Sequence, residues 1–213
     1  MIFEQHRTGG DRNFSYLLAD ERTREAMIVD PSYEPAVLLT RARELGVQVR
    51  RIVITHRHPD HVAGVDEVRR ATQARVYAWR EGGGGHDEPL DDGDEITLGA
   101  ARLRAIHTPG HADDHICLHG AGKLLSGDIL FVGKVGGTDL GAGARREYDS
   151  LHRTILVLPD QTEVWPGHDF GVRPSSTIGE EKRTNPFLLC RSFEEFVGLK
   201  RNWTAYKKEH GIA

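Results

Sequence analysis

Cysteine is scarce in this sequence, which has only Cys117 and Cys190 among its 213 residues. The two lie far apart and form no CxxC motif, so neither a disulfide framework nor a thiolate metal site is indicated. Long apolar runs are lacking as well: none approaches the roughly 20 residues that a bilayer-spanning helix needs. The N-terminus, MIFEQHRTGG, carries charge from its fourth residue. We therefore expect a cytoplasmic protein that is neither exported nor anchored in a membrane.

An excess of positive charge is also lacking. The 28 Lys and Arg residues are outnumbered by 32 Asp and Glu residues, which gives a formal net charge of -4. Generalised binding to nucleic acid needs clustered, uncompensated Lys and Arg, so we expect no nucleic-acid partner. No repeat and no low-complexity linker divides the chain. The sequence therefore predicts a single domain over residues 1–213, with a C-terminal helical segment over about 190–213 packed on it.

The first half of the chain alternates strand-like and helix-like segments. FSYLLAD and EAMIVDP indicate antiparallel strands, and apolar residues recur with helical spacing over residues 34–45. The β-branched run VRRIVITH ends at THRHPDHVAG, residues 55–64, before a helix-like segment and the short strand RVYAW. A histidine cluster therefore lies where a strand gives way to a helix, the edge at which α/β proteins commonly bind ligands.

The second half returns to a β pattern and then ends in helices. EITLGAARLRAIHTPGH and HICLHGAGKLLSGDILFVG predict strands, and helices are predicted at REYDSLHRTILVL and IGEEKR on either side of the strand TEVWPGH. The GGGG at residues 82–85 is interpreted as a mobile loop and not as a phosphate cradle, because no GK[ST] follows it.

The last predicted helix carries an apolar stripe and a basic cluster. The stripe consists of Phe196, Leu199, Trp203 and Tyr206. It is interpreted as core contact, with partner binding as the alternative. The basic cluster consists of Lys200, Arg201, Lys207 and Lys208. It is interpreted as a solvated helix face, with binding of an anionic substrate as the alternative.

Three imidazoles and a carboxylate fall within six positions of THRHPDH: they belong to His56, His58, Asp60 and His61. A lone HxH is a weak signal, but HxHxDH supplies four ligands for first-row metals on one turn. The first two histidines alternate along the strand end and the other two residues begin the next turn, which favours two adjacent metal positions. Further donors at the ends of β-type runs are His111 in HTPGH, Asp128 in LLSGDIL and His168 in VWPGH.

Other residues near these motifs are candidates for supporting roles. His115 follows His111 by four positions and is interpreted as a packing residue, with contact to a metal ligand as the alternative. Asp113 and Asp114 either orient a liganding imidazole through its second nitrogen or serve as turn residues.

From FSYLLAD to NPFLL, this set resembles that of the metallo-β-lactamase superfamily. The resemblance implies an α/β fold, the four-layer αββα sandwich, and two divalent metal ions, with zinc as the first expectation. One ion would be held by His56, His58 and His111, and the other by Asp60, His61 and His168. Asp128 would bridge both. Asp60 and Asp128 are then the candidate catalytic carboxylates. Such a site activates water as hydroxide near neutral pH.

Within the superfamily, GDILFVGKVGG, the run REYDSL to WPGHDF and SSTIGEEKRTNPFLL resemble the branch that contains glyoxalase II (hydroxyacylglutathione hydrolase) and the persulfide dioxygenases. The first implies hydrolysis of a thioester of a small thiol. The second implies oxygenation of glutathione persulfide at one Fe²⁺ held by His56, His111 and Asp128. Asn13 and the proline of HRHPDH resemble the residues that the hydrolases have at these positions. Thr138-Asp139 and GHD at 167–169 are similar to the dioxygenases.

Three positions depart from the pattern by which glyoxalase II holds glutathione. Gly137, Asp139 and Phe170 stand where that family has a basic residue and two tyrosines. We therefore expect thioester hydrolysis with weak preference for glutathione, unless Lys134 or Arg173 replaces the missing contacts. These five residues are the candidate substrate contacts.

Two other classes remain as alternatives. A non-catalytic binding protein on the same fold would have lost metal ligands, and none is lost here. A nuclease of the superfamily would bring a further domain and a basic face, and neither is visible in the sequence. A homodimer stays open.

Overall fold

Two six-stranded β-sheets make up the centre of the computed structural model, which describes residues 1–211. The first sheet has its strands in chain order: β1 (Ile2–Arg7), β2 (Phe14–Ala19), β3 (Glu25–Val29), β4 (Gln48–Val53), β5 (Arg75–Trp79) and β6 (Glu88–Leu90). Strands β1 to β3 are antiparallel, and β3 to β6 run parallel. Parallel strands need a crossover, and the two crossovers beside β4 carry helices.

The second sheet is formed later in the chain. The remaining strands are β7 (Glu95–Leu98), β8 (Ala101–His107), β9 (Ile116–Gly120), β10 (Lys123–Gly127), β11 (Leu130–Phe131), β12 (Lys134–Val135), β13 (Glu163–Pro166) and β14 (Ser176–Thr177). Their order in the sheet is β14-β13-β10-β9-β8-β7, while β11 and β12 form a separate hairpin. Within this second sheet, among the described residues, only β10 and β13 pair in parallel.

Helices cover both outer faces. They are α1 (Pro35–Leu45), α2 (Pro59–Val62), α3 (Val65–Thr72), α4 (Ala142–Ser150) with a π-helical continuation at Leu151–Ile155, α5 (Ile178–Thr184), α6 (Phe193–Arg201) and α7 (Trp203–His210). Helix α1 confirms the predicted periodicity: Pro35 fits its first turn, and Gly46 ends it with a φ of 63°. Within residues 1–211 no helix combines the length and apolar character needed to cross a bilayer.

Strand β3 explains how the layers are held together. Met27 and Val29 pack into the core between the two sheets, whereas Ala26 and Ile28 pack under α1 on the outer face. This alternation follows from the two-residue period of a strand, and burial on both faces is typical of parallel strands. A third apolar cluster lies between the second sheet and helices α4 to α6. The four layers are therefore helices, sheet, sheet and helices.

The prediction of one last helix is wrong, because α6 ends at Arg201 and α7 begins at Trp203. Its interpretation as core contact holds for three of the four stripe residues: Phe196 is fully buried, and Leu199 and Trp203 pack against the same core cluster. Tyr206 stacks on Trp203 with ring centroids 5.6 Å apart. The stripe survives the break because both helices lie on the same cluster.

The interpretation of the basic cluster as a solvated face is wrong for Lys200. Its Nζ lies 2.5 Å from Glu147 Oε2 and donates to the carbonyl of Gly136 at 2.6 Å. Glu147 is fully buried, and burial raises the pKa of its carboxyl to about 7 against the charge of Lys200. Lys200 therefore ties α6 to α4 and to the loop after β12.

Truncation of Leu118, which is fully buried between the sheets, tests this core. We expect Leu118→Ala to lower the free energy of unfolding by about 2–5 kcal/mol, because it removes buried methyl groups and leaves a cavity. Leu189→Ala is the matched control: Leu189 is 53% exposed and should change stability by less than about 0.5 kcal/mol. Urea denaturation followed by circular dichroism measures both, and equal effects would contradict the assigned core.

Candidate metal centre

All seven predicted donors meet at one edge of the two sheets. They come from the loops after four strands: His56, His58, Asp60 and His61 follow β4, His111 follows β8, Asp128 follows β10, and His168 follows β13. The expectation that strand ends would bring these residues together is confirmed. Pro59 starts α2 directly after His58, so the chain turns sharply there and Asp60 and His61 face the strand end.

The first group of donors consists of three imidazoles. His58 Nδ1 lies 3.0 Å from His56 Nε2 and 2.9 Å from His111 Nε2. All three of these nitrogens lie within 4.8 Å of one another. His56 is buried, whereas His58 and His111 are half-buried, so this group opens toward solvent on one side.

The second group consists of Asp60, His61 and His168. The Nε2 atoms of the two imidazoles lie 3.2 Å apart. Asp60 Oδ2 lies 3.3 Å from His168 Nε2 and 3.7 Å from His61 Nε2. Asn13 Nδ2 donates to Asp60 Oδ2 at 2.9 Å and thereby fixes the carboxylate against the imidazoles.

Asp128 lies between the two groups. Its Oδ1 is 3.3 Å from His61 Nε2, and its Oδ2 is 3.2 Å from His168 Nε2 and 3.6 Å from His111 Nε2. The Oδ1 atom is buried and has no hydrogen-bond partner among the described residues. Gly167 permits this approach, since a Cβ there would lie 2.3 Å from the same oxygen. A buried carboxylate oxygen without a partner is costly, and a cation at the centre would satisfy it.

The second nitrogen of three of the imidazoles, those of His61, His111 and His168, is held by an acceptor outside the centre. His111 Nδ1 donates to the carbonyl of Gly137 and His168 Nδ1 donates to the carbonyl of Asp11, each at 2.8 Å. His61 Nδ1 donates to Asp30 Oδ2 at 2.9 Å. Because Nδ1 donates outward in each case, Nε2 is the nitrogen that faces the centre, and a metal that binds there displaces any proton from it.

Asp30 is a functional residue that the sequence analysis missed. Its carboxylate accepts from the backbone N–H of Thr55 at 2.7 Å and from the Thr55 hydroxyl at 2.6 Å, besides the bond from His61. The Thr55 hydroxyl oxygen, which donates its own hydrogen to Asp30, accepts a hydrogen bond from His56 Nδ1 at 3.1 Å. One carboxylate thus orients an imidazole in each group. Its signal was present in EAMIVDP, where an aspartate before proline ends a buried strand.

Burial and nearby charges shift the pKa values of these imidazoles in opposite directions. Burial lowers the pKa of His56 and of His111, so both are neutral and offer lone pairs. Burial also disfavours the charged form of His61, but Asp128 and Asp30 outweigh it and raise the pKa of His61 well above its usual value. Burial would raise the pKa of the Asp128 carboxyl, yet the charge of His61 and the contact with His168 hold that pKa well below its ordinary value.

His115 contacts a predicted metal ligand, so the alternative interpretation of this residue is the one that the structure supports. Its Nε2 accepts from the backbone N–H of Asp128 at 3.0 Å, and its Nδ1 bonds the Thr108 hydroxyl at 2.8 Å. Of the two alternatives for Asp113 and Asp114, orientation of an imidazole is not observed in the structure. Asp113 pairs with Arg146, and Asp114 accepts from the backbone N–H of Arg57 at 3.1 Å, which holds the loop between His56 and His58.

The candidate substrate contacts separate into two places. Lys134, Phe170 and Arg173 line a cavity of about 700 Å³ beside the centre, where the ring of Phe170 stacks on His168 at 4.6 Å between centroids. Gly137 and Asp139 do not line it. The carbonyl of Gly137 holds His111, and Asp139 Oδ1 accepts from the backbone N–H of Gly141 at 2.7 Å at the start of α4. Asp139 therefore stabilises a helix start and does not point into this cavity.

Imidazole and carboxylate donors in two adjacent groups suit divalent first-row metals. Such ions fit the donors present here. The imidazole nitrogens face one another, Asp128 Oδ1 has no hydrogen-bond partner among the described residues, and the donor set contains no thiolate. These donors form a metal-binding His/Asp site.

Comparison with known proteins places this site in a family. The sequence model of the metallo-beta-lactamase superfamily matches residues 8–168. The hydroxyacylglutathione hydrolase of Polaromonas sp. (strain JS666) is 38% identical over 178 residues, which cover 80% of this chain and 67% of that protein. Human mitochondrial persulfide dioxygenase ETHE1 is 34% identical over 194 residues, or 89% of this chain and 76% of that protein.

A solved structure gives the same picture of the fold. The crystal structure of ETHE1 from Myxococcus xanthus superposes with a TM-score of 0.89 at 36% identity, and the match covers 95% of this chain and 91% of that one. The four-layer architecture expected from the resemblance is confirmed.

Replacement of Asp30 tests whether its carboxylate organises the centre. Asp30→Asn keeps the volume but cannot accept from both His61 and Thr55 through two oxygens, so we expect metal affinity to fall about 10–100-fold. Asp113→Asn, at an exposed carboxylate of the same type, is the matched control. Competition with a chromophoric chelator measures both affinities. An unchanged affinity in Asp30→Asn would show that the imidazoles are positioned without it.

Proposed function

Because the chain belongs to the metallo-beta-lactamase superfamily, we propose that it is a metal-dependent hydrolase that cleaves a thioester of a small thiol. The first donor group, His56, His58 and His111, holds one divalent ion. The second, Asp60, His61 and His168, holds another, and Asp128 bridges them. Zinc is the ion we propose, since it takes nitrogen and oxygen ligands and needs no redox partner.

The observation that carries the proposal is the completeness of the second donor group. Asp60 is held by Asn13, and His168 is held by the carbonyl of Asp11, so both are prepared as ligands. A hydrolase that uses two ions needs all of these donors in place. The bridging position of Asp128, within 3.6 Å of imidazole nitrogens from both groups, supports the same conclusion.

Bound divalent ions would supply Lewis acidity and a lowered pKa of water. The residues of the chain do the rest. Asp128 brings negative charge to the middle of the centre, and Asp30 and the carbonyl of Gly137 keep His61 and His111 in one tautomer. Asp60 is the more accessible carboxylate, with 29% of its side chain exposed. Its carboxylate is the group placed to accept a proton from an entering water, through the oxygen that Asn13 does not bind.

A persulfide dioxygenase is the second candidate, and the likeness to human ETHE1 and to the Myxococcus xanthus structure favours it. In that case one Fe²⁺ would be held by His56, His111 and Asp128, a two-histidine, one-carboxylate set. Asp60 and His168 would then form only a hydrogen-bond network with Asn13.

Asp60 separates the two candidates. In the hydrolase, Asp60→Ala removes a ligand, so we expect loss of one metal equivalent and a fall in turnover to below about a hundredth of the original. Asp66→Ala, at an exposed position of α3, is the matched control. Metal analysis of protein purified without chelator gives the stoichiometry beside the kinetics. An Asp60→Ala protein that keeps its full metal content and more than about a hundredth of the original turnover would contradict the two-ion site.

Substrate comparison tests the reaction itself. We expect hydrolysis of lactoylglutathione and of a coenzyme A thioester, with a KM for lactoylglutathione well above that of a dedicated glyoxalase II, since Gly137 and Asp139 offer no basic or phenolic group. We expect no oxygen uptake with glutathione persulfide. Thiol release and an oxygen electrode measure these reactions side by side. Oxygen-dependent consumption of the persulfide, without thioester turnover, would replace the first candidate by the second.

A further inference from the structure

The cavity beside the centre has an unusual set of charges. It lies behind Phe170, whose ring stacks on His168, so it adjoins the second donor group. Its four basic residues come from four separate segments: Arg12, Lys134, Arg173 and Lys207. Its acidic residues are Asp11, Glu180 and Glu181. The question is which of these charges lack compensation.

Each acidic side chain has at least one partner, although the buried Oε1 of Glu181 has none among the described residues. Glu180 forms an ion pair with Arg173. Glu181 is fully buried, and its Oε2 accepts from the backbone N–H of Gly133 and from Asn185 Nδ2, both at 2.9 Å. Asp11 Oδ1 lies 3.7 Å from Arg12 Nε at the exposed rim. None of the three lies within ion-pair distance of a lysine, among residues 1–211.

Lys134 and Lys207 are therefore left without a carboxylate partner within 4.0 Å in the described part of the chain. Lys134 is half-buried, and burial lowers the pKa of its ammonium, as do the charges of Lys207 and Arg12, whereas the charges of Asp128 and Asp11 raise it. Arg12 is largely exposed beside Asp11, so the two lysines are the cations of this cavity that lack a carboxylate partner in the described part of the chain. A half-buried ammonium without such a partner is costly, and a bound ligand of opposite charge would remove that cost.

Two of these cations make cation–π contacts with the ring of Phe170. Lys134 Nζ lies 4.4 Å and Arg12 Cζ 4.8 Å from the ring centroid. Arg12 is held in place although its φ of 62° is unfavourable for a residue with a side chain. Its carbonyl accepts from the backbone N–H of Asp169 at 2.9 Å, next to His168. The ring of Phe170 and the backbone of Arg12 therefore place both cations next to the metal centre.

We propose that this cavity binds the anionic end of the thiol carrier, with Lys134, Lys207 and Arg12 as its contacts. The inference rests on the proposed function, because it gives the substrate of that same centre a place to extend. The acyl group lies at the donors, the carrier passes Phe170, and its phosphate or carboxylate reaches the ammonium groups. Lysines bind phosphate well as point charges, so a phosphorylated carrier and glutathione share this chemistry.

The proposal accounts for the departures at Gly137 and Asp139. Those positions lie outside the cavity, and Asp139 is engaged at the start of α4. The positive charge missing there is supplied here from β12, α7 and the loop after β1. Carriers are then recognised from the side of His168 and not from the side of His111.

Binding of unreactive thioethers tests the site without any turnover. The probes are S-methyl coenzyme A, which carries phosphates, S-methylglutathione, which carries carboxylates, and S-methylpantetheine, which carries no charge. Isothermal titration calorimetry on the metal-loaded protein gives each Kd. We expect Lys134→Met and Lys207→Met each to weaken an anionic probe roughly 10-fold or more relative to the neutral one, the range for a lost charge-assisted contact.

Lys208→Met is the matched control, because Lys208 adjoins Lys207 on α7 but does not line the cavity. A selective loss for S-methyl coenzyme A identifies a phosphorylated carrier, and a selective loss for S-methylglutathione identifies a carboxylate carrier. Both results support the site. Equal affinities for charged and neutral probes, or equal effects of Lys134→Met and Lys208→Met, would overturn it, as would the absence of binding by either anionic probe.

The thioester kinetics decide the proposed function separately. If thioesters are not hydrolysed but anionic probes still bind through Lys134, the reaction is wrong and the site stands. If thioesters are hydrolysed and the lysines have no selective effect, the reaction stands and the site is wrong. Thermal unfolding of each variant confirms that it is folded.

Discussion

The buried carboxylate of Asp30 is the contact on which the geometry of the centre depends. It ends β3, reaches across to the loop after β4, and holds Thr55 and His61 at once. Through the Thr55 hydroxyl it also orients His56. One acceptor therefore fixes imidazoles in both donor groups. Asp30 directly follows β3, and its backbone N–H donates to the carbonyl of Val53 on the parallel neighbour β4 at 3.0 Å, so the first sheet itself sets the position of these ligands.

The opposite side of the centre is supported from the C-terminal helices. Lys200 of α6 donates to the carbonyl of Gly136, and the next carbonyl, that of Gly137, holds His111. A Cβ at Gly136 would lie 2.8 Å from His111 Nδ1, so the loop passes very close to the ligand. The buried pair of Lys200 with Glu147 keeps α6 in register with α4. The C-terminal segment thus supports a metal ligand, besides covering the second sheet.

Much of this arrangement was predictable from the sequence. HxHxDH and the donors at strand ends identified the centre, because a strand end places its side chain at a sheet edge whatever the tertiary detail. Asp30 was missed because its role depends on a partner from a parallel neighbour, which no local pattern reveals. Lys200 was misinterpreted for the same reason, because its ion-pair partner, Glu147, lies on another helix and is distant in sequence. The break at Asn202 had no glycine or proline to mark it.

The origin of the donors in different sheets has a mechanical consequence. His56, His58, Asp60 and His61 follow a strand of the first sheet, whereas the other three donors follow strands of the second. Any ion shared among them is a cross-link between the two halves of the sandwich, placed at the rim where the apolar core thins out. Occupancy of the centre is then linked to the free energy of folding, because an ion bound by the catalytic donors also holds the two sheets together.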